Sequence, residues 1–517
     1  MKKIICLILL LQNLFSFGQS QPIFTNCIGD IDDDKLYDAK ITSDGGIIVV
    51  GYLITPGQYK AFFISKLDSN GNMEWEKKYG GNLFGDHAFS VFEATDGYVI
   101  AGVNKSNSGD ITGNHGNWDA LVVKVDFLGN LVWQKTFGGS SDEEAKSIVQ
   151  TNDGGYIIAG YTSSNNFDVT GNHGGKDFWV VKLNASGNLV WQKTYGGTGN
   201  DIANSIVQTL DGGYIVAGIS NSTNGDVLLN IGNDDFWIIK ITSLGNIEWQ
   251  KTFGTLGNDN MPNIIQTSDG GYAMVGASYP FNGSYYADYC NIFKINSTGD
   301  IEWQRFIESY NYSSTDDIFK IIETLDNGYA VIGSTADGDT SSNTMPTYGG
   351  TNLWFLKLDS LGNTQGQRGF GGQGNDHGSA IQQDASGNYY IVGYISSINN
   401  IDNLPRNGQV FCNHSQNHWD GWLIKVSTDL LDTNLSNLKN KLIIFPNPTN
   451  SVINVELDPT LSNVTYELYD SIGRNLQYGK LSNENLTINI TSLPNGIYNL
   501  LIKDDSNLYL NHKIIKQ

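Results

Sequence analysis

Proline, cysteine and basic charge are scarce in this 517-residue chain: 10 Pro, 4 Cys, and 31 Lys plus Arg against 53 Asp plus Glu. The net charge of −22 leaves no basic patch in view to hold a phosphate backbone or an anionic bilayer, so nucleic acid is not expected as a partner. The cysteines form no CxxC pair. Cys27, Cys290 and Cys412 lie beyond the amino-terminal leader described below; an odd number at that spacing indicates neither a disulfide framework nor a zinc site, and leaves room for one Cys27–Cys412 bridge. No run beyond the first residues is long and apolar enough for a spanning helix, and no window repeats its apolar residues at helical spacing. HExxH, GxSxG and phosphate-loop patterns are missing too. The nearest approach, residues 171–176, has Thr170 where a phosphate loop needs glycine and Asp177 where it needs Ser or Thr. No catalytic residue is assigned, and an enzyme is not the expectation.

Glycine is abundant, at 60 residues, alongside Tyr, Ile, Val and Asn, which suits many short strands joined by tight turns. One stretch, 153–197, is repeated through most of the chain. The position of Tyr156 recurs as Ile47, Tyr98, Tyr214, Tyr272, Tyr329 and Tyr389, with steps of 51, 58, 58, 58, 57 and 60 residues along the series. A nearly fixed period marks a repeat architecture. Within the third copy, strands a, b, c and d are predicted at 147–151, 156–161, 178–183 and 189–195, rich in β-branched and aromatic residues and separated by Gly/Asn turns.

Four antiparallel strands per copy predict an all-β chain whose residues 19–427 form a seven-bladed β-propeller. The last copy stops after strand c, while residues 21–29 align with 131–138 and set Phe24 at the place of Trp133. The amino-terminal strand is therefore expected to supply strand d of blade seven and close the ring, removing two free sheet edges.

Several residues recur once per copy. Strand d carries Trp75, Trp133, Trp191, Trp249 and Trp303, broken by Gly366; these indoles are expected as buried filler between neighbouring sheets. Strand c ends in Lys66, Lys124, Lys182, Lys240, Lys294, Lys357 and Lys425, and strand a is preceded by Asp34, Asp86, Glu143, Asp201, Asp259, Asp316 and Asp376. Catalysis needs one acid or base in a special environment, whereas seven equivalents mark a structural device that pairs side chains or caps backbone. Loops 110–116 and 168–174 alternate oxygen side chains as a calcium loop would, but hold one carboxylate each, and 226–232 loses the Thr and His. Polar turns that tie down the loops are expected; no metal or other cofactor is assigned, calcium being the one cation the pattern would suit.

The segments Gly199-Asn200-Asp201, Asp211-Gly212-Gly213-Tyr214, Gly187-Asn188 and the run DFWVVKL at 177–183 resemble the bacterial β-propeller repeat family (SBBP-like) over roughly residues 22–427. That resemblance implies the fold and says little about activity. After a polar linker at 428–441 the grammar changes. Pro446, Asn447 and Pro448, then Gly473 and Arg474, then Gly496 and Tyr498 stand in motifs that resemble the type A carboxy-terminal sorting domain of the type IX secretion system, over 442–517. Short alternating runs there predict a small Ig-like β-sandwich. Residues 1–18, with Lys2 and Lys3 ahead of an apolar run at 4–11 and small residues at Ser16 and Gly18, read as a signal peptide. The resemblance implies delivery to the periplasm by that leader and transfer across the outer membrane by the type IX machinery.

The expected function is a secreted or cell-surface binding module for glycan or protein, acting as a monomer. The alternative is an exported polysaccharide hydrolase or lyase using paired carboxylates at the channel mouth. With strand a innermost, the b–c and d–a connections share one face, and recognition favours loops held on a rigid scaffold. Two b–c loops depart furthest from the repeat: 279–289, with Phe281, Tyr285 and Tyr286, and 396–419, with Phe411, His414, His418 and Trp419. These aromatic and imidazole side chains are the ligand-binding candidates.

Overall fold

In the third copy, Gly154 at φ +79° and Gly187 at φ +75° turn the chain tightly enough for four antiparallel strands: Glu143–Gln150, Tyr156–Thr162, Asp177–Leu183 and Leu189–Tyr195. They pair in the order a-b-c-d. Strand a begins at Glu143, four residues ahead of the predicted start, because a bulge between Ala145 and Ser147 leaves Lys146 unpaired and lets the ladder resume. The bulge breaks the period-2 pattern from which strands are read.

The computed structural model describes residues 22–516 apart from 31, 56–59, 81–84, 280–287, 310–316, 337–349, 373, 397–417, 428–441, 446–448, 458–463, 471–473, 482–485 and 504–508. No helix occurs among the described residues. The four-stranded antiparallel sheet recurs at 35–79, 87–137, 201–253, 258–309 and 317–370. The last of the series combines Asp376–Gln383, Tyr389–Ile395 and Asp420–Val426 with the amino-terminal strand Phe24–Ile28. Phe24 pairs with Lys425 just as Trp133 pairs with Lys124, so the amino-terminal segment stands in the register of a strand d.

Numbered along the chain, each sheet packs its face on the next. Phe178 and Val180 of the third sheet meet Ala203, Val216 and Trp237 of the fourth in one core. The seventh packs on the first in the same way, through Tyr390, Val392 and Leu423 against Leu36, Val49 and Phe63. The strand-d indoles are half-buried and pack against these inter-sheet cores from the rim. Each lies over the c–d turn glycine of the next sheet, Trp133 on Gly187 and Trp75 on Gly129, with the Trp75 Nε1–H donating to the Phe127 carbonyl at 3.0 Å. An indole needs a partner for its N–H, and at the outer rim a turn carbonyl supplies one. The buried indoles are those of strand c, Trp179, Trp237, Trp354 and Trp422. The Trp179 Nε1–H donates to Gln192 on strand d at 2.8 Å, and the Trp422 Nε1–H donates to Thr25 at the matching place in the amino-terminal strand, also at 2.8 Å.

The first strands of successive sheets are also laced together. The Val91 N–H donates to Asp38 Oδ2 at 3.1 Å, Ile148 N–H to Ser90 Oγ at 3.3 Å, Ile206 N–H to Ser147 Oγ at 3.3 Å, Ile264 N–H to Ser205 Oγ at 3.4 Å and Ile321 N–H to Asn263 Oδ1 at 3.2 Å. Cys27 is disulfide-bonded, and Cys290 is a buried thiol.

Residues from Leu442 onward form two further antiparallel sheets, of three and four strands. Ile453, Val455 and Ile488 of one meet Leu468, Leu500 and Ile514 of the other in a core of their own.

Candidate ligand-binding site

The two recurring charged series are consumed by the scaffold. The Lys182 side chain is buried, with its ammonium 2.9 Å from Asp153 of the a–b turn and donating to the Leu183 carbonyl at 3.0 Å. Lys66 pairs likewise with Asp44 and Glu74, Lys124 with Asp96, Lys240 with Asp211 and Glu248, Lys294 with Asp269 and Glu302, Lys357 with Asp326 and Lys425 with Asp384. The acids ahead of strand a accept backbone N–H groups: Asp34 from Asp30 and Ile54, Asp86 from Lys105, Glu143 from Gly139 and Ser164, Asp201 from Gly197, Asp259 from Thr255 and Asp376 from Gly372. Asp316 lies outside the described residues.

Sequence reading missed that most of these acids face a second one. Asp119, Asp177 and Asp235, at the start of strand c, flank the same glycines as Glu143, Asp201 and Asp259, and a Cβ on Gly138, Gly196 or Gly254 would strike both carboxyl groups. All six are buried. Burial pushes Asp34 up to about 7 and Asp119 and Asp259 up to about 6, and the neighbouring Asp420, Glu143 and Asp235 add like-charge repulsion. Asp177, Asp201 and Asp235 are raised as well, by burial first. Two buried carboxyl groups beside one glycine make it costly to ionise both. In the sixth sheet Asn352 takes the place of the first acid, beside Asp376 and Gly371.

The feature that breaks the repeat lies where strands a and b end near the b–c connections. The same register pair reads Lys35–Tyr52, His87–Val103, Glu144–Tyr161, Ile202–Ile219, Asn260–Ala277, Asp317–Ser334 and His377–Tyr394 along the sheets. The seventh, first, second and third sheets thus bring rings and charges to one end of the fold where the fourth has two isoleucines. Bulges add Tyr37 and Phe89 on strand a, and the residues around the start of strand c add Lys60, Trp118, Lys176 and Trp419. The rings touch one another: Tyr37 stands 5.5 Å from Phe89 and 6.5 Å from Tyr394, His87 5.9 Å from Trp118, and His377 5.4 Å from Trp419. Lysines lie against their faces, Lys35 at 4.3 Å from Tyr394 and 4.6 Å from Trp419, Lys60 at 4.2 Å from Tyr52, and Lys176 at 3.9 Å from Tyr161.

Among the described residues, no carboxylate stands at ion-pairing distance from Lys35, Lys60, Lys105 or Lys176. Burial, and for Lys35 the repulsion of Lys60, lower the affinity of Lys35 and Lys60 for their protons, against the attraction of Asp33. Burial likewise brings His87 down to about 3 and His377 to about 4, so both imidazoles are neutral. Glu144 stays ionised despite burial because Lys146, 2.9 Å away, and the Tyr161 hydroxyl hold its charged form. Five lysines from separate points of the chain, Lys146 included, thus lie here together with Asp33 and Glu144.

Of the predicted loop residues, Trp419 belongs to this cluster, and its backbone N–H donates to Asp33 at 2.9 Å. His418 lies beside it with Nδ1 3.3 Å from Asp33. Phe281, Tyr285, Tyr286, Phe411 and His414 lie outside the described residues. The oxygen-rich loops tie themselves to backbone: Asp168 accepts from Gly138 N–H at 3.2 Å, and Asn172 donates to the Thr162 carbonyl at 3.0 Å. In the carboxy-terminal unit Arg474 pairs with Asp470 at 2.7 Å, and the Tyr498 hydroxyl donates to the Pro494 carbonyl at 2.6 Å, closing the turn that leads into the strand starting at Gly496. Pro446, Asn447, Pro448 and Gly473, like the leader and the linker, fall outside the described residues.

Residues 443–517 match the family described as a secretion system C-terminal sorting domain. The chain therefore carries a type IX sorting domain, which implies contact with the type IX machinery and export to the cell surface or the medium. Among curated proteins, the regulatory protein FlaEY of Caulobacter vibrioides is 24% identical over 206 residues, covering 35% of this chain and 20% of FlaEY. The chain thus spans about a fifth of that relative. Among solved structures, a protein of unknown function from Bacteroides caccae is 9% identical, with 65% of this chain and 94% of that one covered and a TM-score of 0.35. A fungal alcohol oxidase of the AA5 family in complex with copper is 10% identical, with 96% and 98% covered and a TM-score of 0.37. Scores this low carry neither fold nor function across.

Proposed function

We propose that this is an exported binding protein in which residues 19–427 form a closed seven-bladed β-propeller and the ring-and-lysine cluster receives a glycan or protein ligand. Residues 1–18 act as the signal peptide, 428–441 as linker and 442–517 as an Ig-like sorting domain, and the protein works as a monomer. The carrying observation is the loss of repeat symmetry at one register position: a scaffold that needs only packing has no use for Lys35, His87, Glu144 and His377 where the fourth sheet has Ile202. Half-buried rings beside polar groups are what recognition sites on rigid scaffolds use. An exported polysaccharide hydrolase or lyase would want carboxylates available for proton transfer. Glu144 is engaged by Lys146 and Tyr161, and Asp33 by His418 and the Trp419 N–H, which favours binding. The test is a glycan array and a pull-down of surface proteins with the full chain and with a Tyr394→Ala/Trp419→Ala variant. Captured ligand lost in the variant is expected; no capture, or capture indifferent to both substitutions, overturns the reading.

A further inference from the structure

Deepening the binding reading, on which it rests, we infer that the cluster takes an acidic polysaccharide, a linear glycan bearing carboxylate or sulfate groups. The argument starts from the two ways this chain treats lysine. The seven scaffold lysines each end within 3.3 Å of a carboxylate. Lys35, Lys60 and Lys176 end on the faces of Tyr394, Tyr52 and Tyr161 instead. An aromatic face attracts an ammonium without neutralising it, so these charges are held in place with no carboxylate in contact, offset only from a distance by Asp33 and, for Lys176, by Glu144. Retaining cations side by side without a contacting carboxylate is unfavourable, as the repulsion between Lys35 and Lys60 shows. In a chain of net charge −22 carboxylates were available to pair them, and the equivalent of Lys176 in the fourth sheet is Asp234. A bound anion supplies the contacting negative charge.

The geometry also points to the kind of anion. The lysines are spread over three successive sheets, Lys35 and Lys60 on the first, Lys105 on the second and Lys176 on the third, with the half-buried Trp118 against Lys105. A single small anion would meet one or two of these, whereas a polymer with charges at intervals meets them all. Sugar rings present C–H faces to half-buried aromatic rings as well as charges to lysines, a combination that an acidic peptide offers less regularly. Export to the cell surface or medium removes the protein from the nucleic acids of the cytoplasm.

The experiment titrates the full chain with three probes of comparable length, polygalacturonate, dextran sulfate and neutral dextran, and then with single-stranded DNA and poly-glutamate. Binding of one or both anionic glycans, weakening as salt is raised, is expected. Lys35→Met/Lys60→Met keeps the aliphatic stems and should weaken that binding about tenfold or more, while Lys78→Met/Lys135→Met on the outer strands leaves it unchanged. Circular dichroism and the melting temperature establish that both variants fold. Neutral dextran bound as well as the anionic glycans, or affinity unchanged in the Lys35/Lys60 variant, overturns the inference while the binding reading survives. DNA or poly-glutamate bound as tightly as the glycans overturns the assignment to carbohydrate. Failure of every probe, together with an empty glycan array and pull-down, overturns both.

Discussion

Lys320 of the sixth sheet sets its ammonium 3.3 Å from the carboxylate of Asp38 of the first. In the preceding sheets the residue at this position accepts the backbone N–H of the next first strand, but the seventh sheet offers Ala380, which has nothing to accept with. The longer lysine of the sixth sheet ends instead at the residue that begins the series.

Asp38→Ala removes the acceptor of the buried Val91 N–H as well as the charge partner of Lys320, and should cost about 1–3 kcal/mol, the penalty of a buried donor left unsatisfied. Lys320→Met loses only a partly exposed ion pair and should cost less than about 1 kcal/mol. Urea unfolding of the two variants checks this order; the reverse order would mean that the lacing of first strands contributes nothing measurable.

Phe24 stands where other sheets have tryptophan, 6.0 Å from Tyr390 and over Gly71. Being half-buried, it should cost about 2 kcal/mol as Phe24→Ala, below the roughly 3–5 kcal/mol of a fully buried aromatic. Removing residues 22–29 exposes the edge of Asp420–Val426 and should lower the melting temperature further and raise light scattering. A deletion that melts like the intact chain would show that the amino-terminal strand is dispensable.

Two sets of carboxyl groups give stability opposite slopes against pH. Asp34, Asp119 and Asp259 titrate at about 7, 6 and 6 when folded, above the unfolded value near ~3.9, so the folded state binds more protons and stability is lost as pH rises through that window. Asp44, Asp153, Asp211 and Asp269 run the other way: although burial opposes it, hydrogen bonds from the neighbouring Thr and the scaffold Lys hold them at about 2. Their contribution is present above about pH 4 and lost as pH falls toward about 2. The urea midpoint should therefore rise from about pH 8 to about pH 5 and fall below about pH 4. Asp235→Asn, which copies Asn352, should raise stability above about pH 7 and flatten the alkaline limb. Lower stability there would mean that the carboxyl pairs carry no repulsion.

Deleting residues 442–517 should leave the remaining chain folded in the periplasm, since the core of the carboxy-terminal unit draws only on its own strands. Cell fractionation with an antibody to residues 22–427 checks this. Release of the truncated chain into the medium at the normal level would mean that export does not depend on the sorting motifs.

The repeated strands were legible because each copy states the same local preferences, and the strand-d register of Phe24 followed from aligning a single aromatic. Trp133 and its counterparts pack between neighbouring sheets as expected, but half-buried at the rim and not fully buried. Sequence shows that an indole recurs, but which strand faces the next sheet and which lies at the rim depends on the order a-b-c-d and the stagger between sheets.

The amino-acid sequence by itself determined the strand pattern, the period and the sorting motifs, because turn chemistry and side-chain alternation act over a few residues. Only the tertiary structure brought Lys35, Lys60, Lys105, Lys146 and Lys176 to one end of the fold. They are too far apart in the chain to read as a basic run, and the net charge of −22 conceals them. The same holds for Asp177 and Asp201, 24 residues apart. Their raised affinity for protons is a consequence of burial, and burial is decided by how one sheet packs on the next.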